Sequence, residues 1–482
     1  RNGRRGSPLN NELMQDRRDF LKTLMIGAAG LAVLPRMTFG QTQDAWATVY
    51  PQILGRIKPP TFPKKDFDIT KYGAKAGIAN DSSDAISKAV DACSKAGGGR
   101  VVVPAGEFLT GAVHLKSNVN LFIAKDATLK FSTDASKYPI VATRFEGMEC
   151  MNVSPFIYAF GQTNVAVTGE GTLDGQSNND HWWNWHGSTR YGGKDGMPNQ
   201  KAARARLYKM MEDGVPAKDR VFGEADRLRP NFIQPHKCKN VLIEGVKIVN
   251  SPMWEVHPLL CENVTVRKVW ISSHGPNNDG CDPESCKDVL IEDCYFDTGD
   301  DCIAIKSGRN EDGRRINVPT ENVIVRGCEM KDGHGGITIG SEISGGVRNV
   351  FGEKCNMDSP NLDHALRFKN NAARGGLLEN FYFRNITIGQ VAHAVITIDF
   401  NYEEGAKGKF TPVLRNLSAE NLTSGKSKFG VDIQGLDNAP VFDISIRNST
   451  FDNVSDGNVV KNLKGQKLDN VKFNGKITDT LK

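Results

Sequence analysis

The chain of 482 residues is 39% hydrophobic and 24% charged, the composition of a folded, soluble protein with room for a sizeable core. Its formal net charge is +5, but residues 1–40 hold seven Lys/Arg against three Asp/Glu, so the remainder is near neutrality. That balance excludes the broad basic surface of a nucleic-acid-binding protein.

Arg17-Arg18-Asp19-Phe20-Leu21-Lys22 precedes the apolar run 24–34. The run is too short to span a bilayer and has the layout of an export signal. The arginine pair resembles a twin-arginine address, which a receptor reads. Residues 1–40 are therefore expected to be a leader cleaved near Gly40, with Met14 as the true start. The mature protein is expected to be periplasmic or secreted, with no membrane attachment. Residues 41–66, dotted with Pro51, Pro59, Pro60 and Pro63, read as a linker or extended arm. Capping residues at Asn80-Asp81-Ser82 predict a helix over 83–95 with Ala85, Ile86, Ala89, Val90 and Cys93 on one face. Gly97-Gly98-Gly99 ends it. A lone amphipathic helix followed only by strands reads as a lid on the open end of a β stack.

Beyond it the sequence repeats. A cassette of Asn or Asp plus an apolar residue recurs at Asn118, Asn164, Asn240, Asn263, Asp288, Asn322, Asn349 and Asn380, with steps from Asn240 of 23, 25, 34, 27 and 31 residues. Such a period, without intervening helices, marks a coiled β solenoid over residues 67–482, all-β in class. Two columns, Cys238/Cys261/Cys286 and Cys294/Cys328/Cys355, fall inside the stack, which favours free buried thiols over a disulfide framework. An insertion at about 176–232 carries His181-Trp182-Trp183-Asn184-Trp185 and a helical piece from Lys201 to Met211. Its tryptophans suit either stacking on sugar rings or packing on the solenoid.

A second strand aligns in each coil and collects scattered charges. The period of two sends Lys306, Arg367 and Lys369 out of one face. The alignment puts Asp279 and Asp301 in one column and Asp300 and His334 in the next. Crowded carboxylates repel, raising the pKa of one member so that it stays protonated, as glycoside hydrolysis requires of its acid. Arg367 and Lys369 suit a sugar carboxylate, and an acidic polysaccharide is the expected partner. A calcium-dependent lyase would use the aspartates as ligands instead, although His334 fits calcium poorly. A non-catalytic polysaccharide-binding solenoid would keep the cassettes but not need the aspartates.

Asn277-Asn278-Asp279-Gly280, Gly299-Asp300-Asp301, Gly333-His334-Gly335 and Arg367-Phe368-Lys369 resemble the four signatures of glycoside hydrolase family 28, the polygalacturonases and relatives. The resemblance implies a single-stranded right-handed parallel β-helix of the pectin-lyase-like kind. It also implies inverting hydrolysis of α-1,4-galacturonosyl bonds in pectin by a monomer without cofactor or metal. It assigns Asp300 as general acid, Asp279 and Asp301 as the pair activating water, and His334 as keeper of the acid's proton. Arg367 and Lys369 would hold the substrate carboxylate, joined in substrate binding by Asn277, Lys306 and Tyr402. Asn278 stands where the family commonly has threonine. The insertion resembles loops of exo-acting members that close one end of the groove. An exo enzyme is therefore expected, with an endo-acting or rhamnogalacturonan hydrolase of the same family as the alternative.

Overall fold

The computed structural model describes residues 44–481; the expected leader lies outside them. Residues Val49–Lys482 form one compact unit, a right-handed parallel β-helix. The cassette strands stack in register. Val119, Val165, Val241, Val264, Val289, Val323, Val350, Phe381, Leu417 and Ile444 pair in succession, coil upon coil.

Asparagine opens the cassette for a physical reason. Asn118, Asn164, Asn240, Asn263, Asn322, Asn349, Asn380 and Asn416 are left-handed, with φ of 55–65°, a conformation asparagine tolerates better than other side chains. Their amides then form a ladder, each Nδ2 donating to the Oδ1 of the coil before, as from Asn164 to Asn118 (2.9 Å) and Asn349 to Asn322 (3.0 Å). Asp288 interrupts it, since a carboxylate has no hydrogen to give Asn263. The N-terminal arm repairs the gap: Lys58 N donates to Asn263 Oδ1 (2.9 Å), and Arg56 pairs with Asp288 (2.8 Å). The expected linker is thus corrected. Ala45–Arg56 is a helix, α1, with Pro51 inside it, and its buried Tyr50 donates to Glu353 (2.5 Å).

Helix α2, Ser83–Lys95, buries the five residues read from the sequence and covers the first coils. Its start differs in detail: Ser82 makes no side-chain cap, and Asp81 Oδ1 accepts from Ser83 N instead. At the other end the strand Leu463–Phe473 is met antiparallel by Lys476–Ile477. All ten cysteines are free and buried, as their columns implied.

Two additions stand on the solenoid. Helix α3, Lys201–Glu212, forms in the insertion as expected. The tryptophans pack rather than line a sugar groove. Trp182 is 1% exposed against Tyr138 and Phe156, and Trp183 Nε1 donates to Ser251 O (2.8 Å). The second addition is an antiparallel hairpin, Ile140–Phe145 with Met148–Val153, inside the range expected to be solenoid. It lies along the coils that carry Tyr158, Gln234 and Glu284, the last being the coil of Asp279. Thr143 Oγ1 donates to Gln234 (2.7 Å), Tyr158 donates to Ala142 O (2.6 Å), and the buried Arg144 pairs with Glu284 (2.8 Å). Phe145 and Met148 share an apolar cluster with Leu207 and Met211 of α3 and with Trp254, each buried side chain contributing about 1.5–3 kcal/mol. Both turn residues, Glu146 (φ 47°) and Gly147 (φ 79°), are left-handed, as a tight two-residue hairpin loop of type I′ demands.

Candidate active site

The aspartate cluster is built by three consecutive coils. Gly280 N donates to Asp301 O (3.0 Å), His334 N to Asp300 O (3.0 Å) and Cys302 N to Gly335 O (2.8 Å). These bonds set the columns read from the sequence. The loop before Asp279 is knotted by Asn278. Its Oδ1 accepts from Ser273 Oγ (2.6 Å) and Gly275 N (2.8 Å), and its Nδ2 donates to Ser251 O and Met253 O. A threonine, with one hydroxyl hydrogen, could not make all four. Gly333 and Gly335 are set by crowding: a Cβ at 333 would lie 2.7 Å from Asp300 O, and one at 335 would lie 2.3 Å from Thr338 Oγ1.

Asp279, Asp300 and Asp301 each bring an oxygen within 4.8 Å of the others. Three carboxylates so close cannot all ionise freely, and their partners decide which yields. Burial pushes Asp301 up, but Lys369 (2.5 Å) and Arg367 (3.6 Å) outweigh it and hold the carboxylate far below its usual range. Thr338 donates to its other oxygen (3.0 Å). Asp300 is held low against burial by the hydrogen bond and charge of His334 (2.9 Å). That bond lifts His334 to about 9, although the imidazole is 48% exposed and water weakens the pair. Asp279 yields. Burial, and then the charge of Asp300, raises it to about 8, and its Oδ1 has no hydrogen-bond partner among the described residues. The repulsion foreseen from the sequence therefore falls on Asp279, whereas the expectation placed the proton on Asp300.

Lys306 needs a correction of role. Its side chain is 4% exposed, and its ammonium lies 3.3–3.4 Å from Asp279, Asp282 and Glu342, with the Trp254 ring 4.2 Å away. It is the buried counter-charge beneath Asp279, with two of its three donors given to Asp279 and Glu342. Asn277 is on the wall with its Oδ1 accepting from Arg229 (2.7 Å). Tyr402 faces Lys369 (5.4 Å) and Arg367 (5.8 Å) with its ring. All these residues line one open cleft of ≈ 370 Å³. Sequence reasoning missed Asp282, Glu342, Glu146, Arg204 and Arg309. Only Asp282 carried a signal, in the strand Cys281-Asp282-Pro283-Glu284, where alternation sends it out beside Asp279. The donor set does not suit a calcium ion, because Lys306 already presents fixed positive charge to Asp279, and Lys369 and Arg367 do so to Asp301.

Residues 218–473 match the family model for glycosyl hydrolases family 28. The chain belongs to that family. As a family 28 hydrolase it is similar to the solved structure of a hyperthermoactive exopolygalacturonase from Thermotoga maritima, with 44% identity and a TM-score of 0.87 over 89% of this chain and 96% of that one. It is 27% identical to an exo-poly-alpha-D-galacturonosidase of Dickeya chrysanthemi, over 70% of this chain and 58% of that protein. An endo-polygalacturonase of Pectobacterium carotovorum is 28% identical over 76% of this chain and 84% of its own length. Both modes of attack thus occur among the relatives of this family 28 chain, and the groove itself has to decide.

Proposed function

We propose that this family 28 hydrolase removes sugars from the end of α-1,4-galacturonosyl chains, by inversion and without metal. The observation that carries the exo reading is the hairpin Ile140–Val153, which runs along the coils up to that of Asp279 and puts its tip into the cleft. A groove shut at one side of the cleavage point accepts a chain end and excludes a chain passing through. The Trp-rich insertion supports that wall through α3, whose Arg204 also lines the cleft.

In this reading Asp300, fed by the proton it shares with His334, protonates the departing oxygen, while Asp279 directs the attacking water and the ionised Asp301 takes the water's proton. Arg367 and Lys369 hold a substrate carboxylate, with Tyr402 beside it. The 4.8 Å cluster is tighter than the about 6.5–9.5 Å common between inverting carboxyls and nearer the about 5–5.5 Å of retaining pairs. Inversion rests instead on the absence of a free nucleophile. Both oxygens of Asp301 are engaged by donors, and Asp279 is held protonated. The leader expected at residues 1–40 suits export towards such a polymer.

Time-resolved products from a defined oligogalacturonide test the mode of attack. Release of one size of sugar from the start is expected; a spread of intermediate lengths would refute the exo reading. The anomer first formed, followed by proton NMR, should be β. An α product would make one aspartate a nucleophile. Reducing ends should appear equally in the presence of chelator, whereas unsaturated products that vanish on chelation would mean a lyase. Arg367→Ala should lower kcat/KM on polygalacturonate about 10- to 100-fold, the worth of a charge-assisted hydrogen bond of about 1.5–3 kcal/mol. The loss on methyl-esterified substrate should be smaller. Equal losses on both would remove Arg367 from carboxylate binding.

A further inference from the structure

Glu146 stands at the hairpin tip, where the wall meets the cleft, in a left-handed conformation that type I′ turns ordinarily give to Asn, Asp or Gly. A long side chain is strained there, and such strain persists where the surroundings over-determine it. They do so here. Gly147 O accepts from Arg309 N (3.1 Å), and a Cβ on Gly147 would lie 2.9 Å from Arg309 N and from the Glu342 side chain. The tip is clamped onto the site.

The carboxylate of Glu146 is held at one oxygen only. Oε2 accepts from Arg204 Nε (2.6 Å) and lies 3.6 Å from Arg309. Oε1 takes no hydrogen bond from any described residue and, with Oε2 fixed, is the acceptor the wall offers to the cleft. Two arginines, Arg204 and Arg309, stand at its back. A carboxylate lining a site for an acidic polymer works against binding unless it accepts from a hydroxyl.

Given the exo reading above, we infer that Glu146 recognises the chain end: Oε1 accepts a hydrogen bond from the terminal ring hydroxyl, which in an internal sugar is tied up in the next glycosidic bond. The hairpin then does two things. Its body blocks the path of a continuing chain, and its tip rewards a chain that stops. Glu146 makes no contact with the aspartates and is a specificity-determining residue.

The test compares trigalacturonate with the trimer whose non-reducing sugar is 4,5-unsaturated and so lacks that hydroxyl. The wild-type protein should prefer the saturated trimer by about 10²-fold or more in kcat/KM, since sites built to bind a hydroxyl reject its absence strongly. Glu146→Asn shortens the reach while creating Asn-Gly, a favoured type I′ turn; Glu146→Gly removes the group and keeps left-handed backbone without strain. Both should remain folded and reduce the preference to within about threefold, mainly through KM. A wild type that treats the two trimers alike, or variants that keep the preference, would overturn the inference. These outcomes are distinct from failure of the exo reading, which wild-type product lengths alone decide.

Discussion

Asp300→Asn is expected to lower kcat/KM by about 10²- to 10⁴-fold, the range supplied by a positioned general acid, while the melting temperature hardly moves. Asparagine matches aspartate in shape and keeps the acceptor that Asp301 N uses (2.9 Å). His334 loses its anionic partner but remains half in water, so little stability is at stake. The variant should also lower the pKa of His334, whose rise to about 9 comes first from Asp300. Titration of the imidazole by NMR reads that shift apart from turnover. A protein that unfolds would make Asp300 structural, and near-normal turnover would move the acid role to Asp279, where the free site keeps its proton.

Lys306→Met should do the opposite, damaging the fold first. The substitution leaves Asp279, Asp282 and Glu342 with their buried counter-charge gone. Removing one partner of a buried ion pair costs about 3–5 kcal/mol. The loss should depend on pH with a definite sign. Without the ammonium, the folded-state pKa values of Asp279 and Asp282 rise further above their unfolded values, and Glu342 loses the charge that chiefly holds it down at about 2. Stability is then retained where they are protonated and lost as pH climbs through the raised values. Urea unfolding should therefore show a smaller deficit at pH 5 than at pH 8. A deficit that is absent, or larger in acid, would mean that Lys306 is not the counter-charge of this cluster.

The register of the solenoid was legible because asparagine marks the same corner of each coil, and once that corner is fixed the period of two assigns every side chain to the core or the groove. The site residues came together for the same reason. Three features escaped. The hairpin's turn is Glu146-Gly147 rather than an asparagine–glycine pair, so no turn signal marked an antiparallel excursion. Helix α1 was hidden by Pro51, which forfeits a backbone donor inside a helix that tertiary contacts of Tyr50, Ile53 and Ile57 nonetheless hold. The proton's seat was foreseeable only as a property of the cluster. Choosing Asp279 requires knowing that Lys369 and Arg367 fall to Asp301, and His334 to Asp300.

The ends of the stack have a consequence of their own. A ribbon of parallel strands finishes in bare amides and carbonyls, a template onto which another copy can crystallise edge to edge. Here α2 roofs the first coils. On the last, Lys464, Lys467 and Lys472 stud a rung that Lys476–Ile477 folds back to meet in the wrong direction for further parallel growth. Fibre formation is thereby discouraged at both poles, and the molecule can be long and strand-rich without becoming a seed.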